Sequence, residues 1–385
     1  MGKGYQTINY PLPSQTFAAG GQSVVRMRDL PLQLYGRITH LAALHLEVTL
    51  TPAYTTAPTV VGHNALFNRL EFFDGQQVRF SGDGNALRQF ERLENGGNRV
   101  MEALTNVGTG NPRYFSRTLY LGPPNFAGAP TDFVMPVCAL ENGELRIKWG
   151  ALTDLSADCT AATATVRVTA VLVLLDEIRV PPFYERQVYT LGSNDSPIAG
   201  RGLYAFVAAC NSSSYDAFAA ADLANVTIDT GLGQAVPGTD ARVLAKLYNQ
   251  QYGKGSLDGI AGDPNNATYD VNDRIVNLGT PTAFAAQALD LAPLLWCVPG
   301  QYLSKIQAQV ESSMRLRWSG SNGAGTIALV GRFLAQPPGA VGSIAERARR
   351  ALGASGGRIK IKTLSKEDYS GPFVEFMPWA LKVAR

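Results

Sequence analysis

The chain has 385 residues, of which 45% are hydrophobic and only 17% are charged. This length suits two domains or one large one, and no run of 18 apolar residues exists, so no transmembrane helix is expected. A charged fraction well below about 25% indicates a surface that is covered, or polar without charge. The 39 glycines and 22 prolines favour many short strands joined by turns.

The cysteines favour a reducing compartment. They are widely separated and form no CxxC or zinc-type cluster. The first ten residues lack the apolar core of a secretory signal. Because disulfides persist mainly in oxidising compartments, we expect free thiols and synthesis in the cytoplasm. The four residues concerned are Cys138, Cys159, Cys210 and Cys297.

Three segments of the first half show the alternation of half-buried strands. In "ALHLEVTL", which ends at Leu50, aliphatic residues share one face and His45 and Glu47 lie on the other. In "ELRIKWG", which ends at Gly150, apolar and basic residues alternate. The run "TATVRVTAVLVLL" (Thr163–Leu175) alternates first and is then apolar on both faces. It therefore predicts a long strand whose second half is buried on both sides.

Between the first two strands lies "LFNRLEFFDGQQVRFSGDGNALRQF" (Leu66–Phe90). An Asp-Gly pair between two alternating runs predicts a tight turn that joins two strands. Leu70 and Phe72 are predicted to face the core from the first of them. Leu87 and Phe90 follow at helical spacing, which predicts a short helix after the second strand.

A weaker copy of this layout recurs in "NVTIDTGLGQAVPGTDARVLAKLY" (Asn225–Tyr248) when Gly75 is aligned with Gly231. Later, "LRIKWG" corresponds to "MRLRWS". Three markers in the same order predict an internal duplication of about 160 residues; the alternative is one irregular all-β domain. The aligned residues, predicted as the structural core of the repeated motifs, are Leu70 with Val226, Phe72 with Ile228, and Trp149 with Trp318.

The predicted fold class is all-β, with two tandem eight-stranded jelly-roll sandwiches, short helices and long loops. Two prolines and a polar, turn-rich run after residue 180 mark the first boundary, and Pro337–Pro338 mark the second. The predicted domains are therefore a first jelly roll with an N-terminal arm at 1–180, a second at 181–337, and a basic C-terminal helix and arm at 338–385.

Patterns that carry catalysis are missing from the sequence. The three histidines all lie in the first quarter. His45 lies on the polar face of a strand, which favours a solvated or interface histidine, and His40 and His63 have no nucleophile or carboxylate in a recognisable arrangement nearby. No nucleophile-elbow, zinc-protease or phosphate-loop motif occurs. An Asp/Asn-rich run at 263–273 offers oxygen ligands suited to calcium but lacks EF-hand spacing, so a solvated loop is the preferred interpretation. We predict no enzyme activity, no cofactor and no metal site.

The C-terminal tail concentrates positive charge. From Pro338 onward there are nine Lys or Arg against four Asp or Glu, whereas the rest of the chain has 25 against 27. Ser343 and Glu346 form a capping box that predicts a helix, and "RIKIKTLSK" predicts a basic strand or extended arm. The tail residues predicted to contact an anionic surface or a partner are Arg347, Arg349, Arg350, Arg358, Lys360, Lys362 and Trp379.

Two interpretations of the tail remain open. Its helix and arm can pack on their own domain or on a neighbouring subunit, with the charges solvated. Alternatively they can bind anionic material, since each basic side chain near an anionic membrane contributes about 1 kcal/mol. The aromatic residues near the end suit a membrane interface or a groove in a partner subunit.

The segment "NALFNRLEFFDGQQVRFSGDGNALRQF" (Asn64–Phe90) resembles the tectivirus coat segment in which a strand ending in an aromatic pair and Asp leads through a turn into a helix. The duplicated layout covers about Ile38–Ala335. Together they resemble the double jelly-roll major capsid proteins of membrane-containing bacteriophages such as tectiviruses, corticoviruses and finnlakeviruses.

This resemblance implies a homotrimer of pseudo-sixfold shape, because each subunit brings two jelly rolls. Such trimers tile an icosahedral virion shell over an internal membrane, and the protein is synthesised in the host bacterial cytoplasm. The implied partners are further copies of the chain, minor capsid proteins such as penton, and the internal membrane, without sequence-specific nucleic acid binding. The basic tail residues would then face the membrane or the virion interior.

Other functions also use tandem β-sandwiches. Carbohydrate-binding or glycan-processing proteins are one alternative, which requires exposed aromatic residues beside a groove. A phage spike or receptor-binding protein is another, which would be expected to show longer repetitive β segments. The duplication and the missing catalytic patterns favour a coat protein over both.

Overall fold

A computed structural model shows that the chain forms two compact units. The first contains Met1–Glu91, Val100–Glu185 and Gln336–Leu364, and the second contains Arg92–Arg99, Arg186–Ala335 and Ser365–Arg385. The residues described are 6–58, 60–94, 102–103, 108–121, 134–180, 185–191, 195–197, 203–211, 218–219, 224–229, 234–239, 276–277, 288–289, 292–296, 315–319, 327–334, 346–348, 350 and 361–363.

The described part of the first unit is mainly β-structure. Its strands are β1 (Gln6–Thr16), β2 (Gln22–Arg26), β3 (Gln33–Leu34), β4 (Arg37–Ala53), β5 (Phe67–Phe73), β6 (Val78–Gly82), β7 (Glu102–Ala103), β8 (Arg113–Tyr120), β9 (Met135–Pro136), β10 (Glu144–Trp149), β11 (Ala161–Leu175) and β12 (Ile178–Val180). The helices that accompany them are α1 (Val60–Asn64), α2 (Gly84–Glu94) and α3 (Leu152–Leu155), with 3-10 turns at Met27–Asp29 and Val137–Ala139.

Eleven of these strands form two sheets, and β12 belongs to neither. The first has the order β1-β11-β4-β8-β7, with β3 and β9 also paired to β4. Its centre is the long antiparallel pair β4–β11, which runs from Ala53 opposite Ala161 to Ile38 opposite Leu175. The second sheet has the order β2-β10-β5-β6 within this unit, and its neighbouring strands are antiparallel. The chain alternates between the two sheets, as it does in a jelly roll.

The inward faces of the two sheets form the core, and the predicted alternation is confirmed. On β11, Val166 and Val168 are buried while Arg167 is exposed, and all side chains from Leu172 to Leu175 are buried. The buried row of β4 and the Leu, Ile and Trp row of β10 follow the same rule. Burying each such aliphatic side chain contributes about 1.5–3 kcal/mol.

The helix predicted after the second strand is α2, and its start is fixed locally. The Asp83 carboxylate accepts a hydrogen bond from the Ala86 backbone N–H at 2.7 Å, which is the interaction expected of an N-cap. The first residue of the helix, Gly84, has to be glycine, because a Cβ there would lie 2.1 Å from the Asn64 carbonyl oxygen. The backbone of α2 therefore approaches the end of α1 more closely than a larger residue would allow.

The second unit is described mainly by its strands. The strands are β13 (Glu185–Leu191), β14 (Asp195–Pro197), β15 (Leu203–Asn211), β16 (Phe218–Ala219), β17 (Ala224–Asp229), β18 (Gln234–Thr239), β19 (Val276–Asn277), β20 (Ala288–Leu289), β21 (Ala292–Trp296), β22 (Arg315–Ser319) and β23 (Ile327–Leu334). They pair in the orders β13-β23-β15-β21 and β14-β22-β17-β18, and a third small sheet has the order β16-β20-β19.

The two units repeat one strand order. In chain order, β1, β2, β4, β5, β6, β8, β10 and β11 of the first unit correspond to β13, β14, β15, β17, β18, β21, β22 and β23 of the second. The sheet order β1-β11-β4-β8 thus matches β13-β23-β15-β21, and β2-β10-β5-β6 matches β14-β22-β17-β18. The predicted duplication and the all-β jelly-roll class are confirmed, and the count of eight strands per unit stays a prediction.

The two halves differ in one strand register. In the first unit Ile147 lies opposite Leu70, whereas in the second Leu316 lies opposite Ile228. Both hairpins enclose four residues between their last paired positions, which agrees with the predicted match of Phe72 with Ile228. The strand that carries the tryptophan is therefore shifted by two residues along its neighbour between the two units. The sequence pattern could not detect this shift, since moving a strand by two residues keeps every side chain on the same face.

Candidate assembly surfaces and C-terminal contact

The Asp-Gly turn between β5 and β6 is held by a compact cluster of hydrogen bonds and an ion pair. One Asp74 carboxylate oxygen accepts hydrogen bonds from the backbone N–H groups of Gln76 and Gln77, at 2.8 and 2.9 Å. The other oxygen lies 2.6 Å from Arg79 Nε, and both side chains of this ion pair are buried. Gly75 adopts a φ of +96°, a conformation that L side chains rarely adopt. The turn is therefore fixed by its own residues.

The C-terminal helix, whose described residues are 346–348 and 350, docks on this turn. Arg347 Nη1 donates a hydrogen bond to the Asp74 backbone oxygen at 2.9 Å, and Ala348 beside it is fully buried. A Cβ on Gly75 would lie 3.1 Å from Arg347 Nη1, so the guanidinium rests directly over the glycine. Burial lowers the pKa of Arg347 from its usual value, and the Asp74 carboxylate partly opposes that shift. Arg347 of the tail thus contacts the turn through the Asp74 backbone oxygen and through the space left by the absent side chain of Gly75.

A second tail contact involves strand β24 (Ile361–Thr363). It pairs parallel to β12, with Ile178 opposite Ile361 and Arg179 opposite Lys362. Strand β24 lies in the segment that was predicted to be a basic strand or extended arm, and it belongs to the first unit.

Strand β12 is in turn tied to β4 by a buried histidine. His40 is fully buried, and its Nε2 accepts a hydrogen bond from the Arg179 backbone N–H at 3.0 Å. The proton of the neutral ring therefore sits on Nδ1, which lies 3.3 Å from the Ile38 carbonyl oxygen. Burial lowers the pKa of His40 to about 4, with a further contribution from the nearby Arg179 charge. The ring works as a neutral acceptor, not as a catalytic base.

The remaining predicted tail residues are placed as follows. Arg350 forms an i,i+4 ion pair with Glu346, and both side chains are largely exposed. Such exposed pairs contribute little to stability. Lys362 is described only by its strand position. Arg349, Arg358, Lys360 and Trp379 lie outside the described residues.

Among the predicted core residues, Leu70, Phe72 and Trp149 are all buried. The Trp149 ring stacks on Phe67 with a centroid distance of 5.8 Å, and its Nε1 donates to the Ser23 hydroxyl at 3.0 Å. The indole therefore joins β10 to β2 by a hydrogen bond as well as filling the core. Their counterparts in the second unit are described by strand position alone: Val226 and Ile228 on β17, and Trp318 on β22.

The N-terminal strand β1 has an unusual exposure for a jelly-roll edge. It pairs with β11 from Gln6 opposite Leu174 to Thr16 opposite Thr165, yet only Leu12 is buried among its eleven residues. No charged residue occurs in its sequence, "QTINYPLPSQT". In the described part of the chain, no strand lies on its other side.

The other side chains that could act in catalysis or bind a metal have structural surroundings. His45 is half-exposed on the outer face of β4, and its Nδ1 lies 3.0 Å from the Thr118 hydroxyl. Cys138 and Cys159 are buried free thiols, and burial raises the pKa of Cys138 to about 11. In the described ranges no group of three or more His, Cys, Asp or Glu residues is placed to hold a metal ion. The Asp/Asn-rich run at 263–273 lies outside those ranges.

Within the described residues, no helix has the length and apolar character needed to span a membrane. No protein-family model and no curated protein sequence matches the chain.

Solved structures do match it along most of its length. The major capsid protein (MCP) of Sulfolobus Turreted Icosahedral Virus superimposes with a TM-score of 0.54 at 11% sequence identity, over 86% of this chain and 98% of that one. A second structure of the same virus gives 0.52 at 10% identity, over 90% and 99%. The PBCV-1 virus capsid gives 0.50 at 11% identity, over 95% and 90%.

These matches cover both units, and the proteins concerned are double jelly-roll major capsid proteins. They confirm the predicted double jelly-roll class, whereas the bacteriophage branch of it stays a prediction. The chain therefore has the double jelly-roll fold of viral major capsid proteins.

Proposed function

We propose that the protein is a major capsid protein whose two jelly rolls build the wall of an icosahedral virion. The observation that carries the proposal is the repetition of one strand order in two successive units. The likeness to a viral capsid protein over 98% of that protein's length supports it. The low charged fraction agrees, because obligate subunit interfaces of roughly 2,000–5,000 Å² are more apolar than ordinary surface.

In this proposal three copies form a trimer with six jelly rolls around its axis, which gives a near-hexagonal tile. The proposed domains remain 1–180, 181–337 and 338–385. The partners are other copies, a penton-type minor capsid protein and an internal membrane, without recognition of a nucleic acid sequence. The protein is made in the host bacterial cytoplasm, is located in the virion and has no enzyme activity.

The basic tail is the proposed contact with the membrane or the virion interior. The exposed side chain of Arg350 supports this role, as does the positive charge of the last 48 residues. Arg347 is already engaged by the first unit, so the residues proposed for that contact are Arg349, Arg350, Arg358, Lys360, Lys362 and Trp379.

Sedimentation velocity of the purified full-length protein, over a hundredfold range of concentration, tests the proposal. We expect a stable species of three chains, and electron micrographs of that species should show a pseudo-hexagonal outline. A protein that stays monomeric at the highest concentration and never assembles would contradict the proposed function.

A further inference from the structure

The exposed edge of β1 has a defined hydrogen-bonding pattern. In an antiparallel pair, residues alternate between those whose N–H and C=O groups bond the partner and those whose groups point away. Pro11 lies opposite Thr169 within the β1–β11 ladder and has no N–H to donate. Pro11 must therefore belong to the outward set, which is where proline is tolerated in an edge strand.

The same alternation assigns the neighbouring residues. Thr7 and Asn9 share the phase of Pro11, so their N–H and C=O groups point away from β11. Both residues are exposed, and in the described part of the chain no hydrogen bond outside the ladder uses these backbone groups. From Thr7 to Asn9 the edge offers two donors and two acceptors, and Pro11 and Pro13 supply no donor beyond it.

Natural proteins usually protect such an edge. Charged side chains, short length, bulges or a covering segment keep one sheet from pairing with another. In the second half of β1 the prolines Pro11 and Pro13 and a register shift between Leu12 and Gln15 supply such protection. The first half, 6–10, has neither device and carries no charge, and its side chains lie at least partly in solvent. This part of the edge is therefore suited to main-chain pairing with a further strand.

We propose that the Thr7–Asn9 edge of β1 pairs with strand β18 of a second copy of the chain. This inference rests on the proposed capsid function, because a closed ring of identical subunits needs two different edges at each contact. Strand β18 ends the sheet β14-β22-β17-β18 and is the longest uncharged end strand described in the second unit. Neither strand brings a charge that would have to be desolvated in the pairing.

The test is the double substitution Thr7→Pro with Asn9→Pro in the full-length protein. Each proline removes an outward N–H and leaves the inward ladder to β11 intact. Two lost hydrogen bonds should weaken association by roughly 30-fold, measured by sedimentation equilibrium. The comparison is Thr7→Ala with Asn9→Ala, which removes the same side chains but keeps both N–H groups.

The outcomes separate this inference from the proposed function. An unmodified protein that does not self-associate contradicts the capsid function itself. An unmodified protein that associates, together with a proline variant of equal affinity, overturns the edge pairing. Equal weakening in the alanine and proline variants also overturns it, because the side chains would then carry the contact.

Disulfide trapping identifies the partner edge even if the proline variant folds poorly. Thr7→Cys is combined in turn with a cysteine at each of the six positions of β18, from Gln234 to Thr239. At least one combination should give chains covalently linked between copies under mild oxidation, beyond the level of either single variant. Cross-linking by Thr7→Cys alone would indicate a contact with β1 or with a native cysteine of another copy and overturn the assignment to β18, as would the failure of all six combinations in a self-associating protein.

Discussion

At the scale of single residues, the most informative position is Gly75, where the turn of the first unit meets the C-terminal helix. The Asp-Gly pair predicts a turn from the sequence alone, but its contact with the C-terminal helix could not be predicted. Its partner, Arg347, is 273 residues away from Asp74 and binds a backbone oxygen. A main-chain acceptor leaves no complementary charge or motif for sequence reasoning to find.

We expect Gly75→Ala to destabilise the protein by about 2 kcal/mol. The alanine must adopt a positive φ, which costs about 1 kcal/mol, and its Cβ also presses on Arg347 Nη1 at 3.1 Å. Gly110→Ala is the matched control, because Gly110 has a φ of +73° with nothing within 4 Å of the added Cβ. Denaturant unfolding measures both.

The contribution of the tail contact is isolated by repeating both substitutions in an Arg347→Ala background. There the excess cost of Gly75→Ala should shrink toward that of Gly110→Ala. An unchanged excess would mean that backbone strain alone, rather than the contact with Arg347, explains the difference.

His40 predicts a pH dependence of folding. Its folded-state pKa of about 4 lies below the unfolded value of 6.5, so the unfolded chain binds the proton more readily. The stability associated with the neutral ring is complete above pH 6.5 and is lost as the pH falls toward 4. Between pH 7 and 4.5 this one group should remove about 2 kcal/mol.

The comparison for this prediction is His40→Gln, whose side chain can accept the Arg179 N–H but does not titrate in this range. The free energy of unfolding is measured for both proteins at pH 7 and pH 4.5. Carboxylates change the free energy of unfolding of both proteins equally. The difference between the two proteins in how far this free energy falls from pH 7 to pH 4.5 therefore reports the titration of His40. An equal fall in both proteins would contradict the assignment.

At the scale of elements, strands were easier to predict than their partners. The alternation in β4, β10 and β11 identifies their buried faces, because a half-buried strand must repeat every two residues. Strand β24 was predicted as a basic strand or arm from the same alternation. Its place beside β12 was not predictable, since a three-residue parallel pairing is specified by position in the fold rather than by side-chain pattern.

Two truncations of the tail distinguish its parts. Removing Ser365–Arg385 takes away three basic and three acidic residues and leaves Arg347, Ala348 and β24 in place. The first unit should therefore keep its unfolding free energy, and flotation with anionic vesicles should change little. Removing Gly339–Arg385 also deletes six further basic residues and both contacts with the first unit. It should weaken vesicle flotation and lower the unfolding free energy by about 2–4 kcal/mol.

The contrast between the two truncations is what matters. Equal stability of the two shortened proteins would mean that the docked helix and β24 contribute nothing to the first unit. Unchanged vesicle flotation in both would remove the proposed membrane role of the tail.

At the scale of the whole molecule, duplication was predictable because both halves preserve the turn, the tryptophan and the last strand in order. The strand order β1-β11-β4-β8, repeated as β13-β23-β15-β21, could not be read from these markers. Sheet order depends on contacts between residues far apart in sequence, and a two-residue slip in register is invisible to a period of two. The pattern of repeats fixes the class of fold, and tertiary packing fixes the pairing.

The inclusion of Gln336–Leu364 in the first unit has a consequence for biosynthesis. The ribosome synthesises the N-terminal part of that unit early. The segment Gln336–Leu364, which completes the unit, is synthesised only after residues 186–335 of the second unit. At about 5–20 residues per second, the interval between residues 185 and 364 is roughly 10–35 s. A nascent chain therefore lacks a finished first unit until the whole second unit has been synthesised, so any contact that needs the completed first unit can form only after that point.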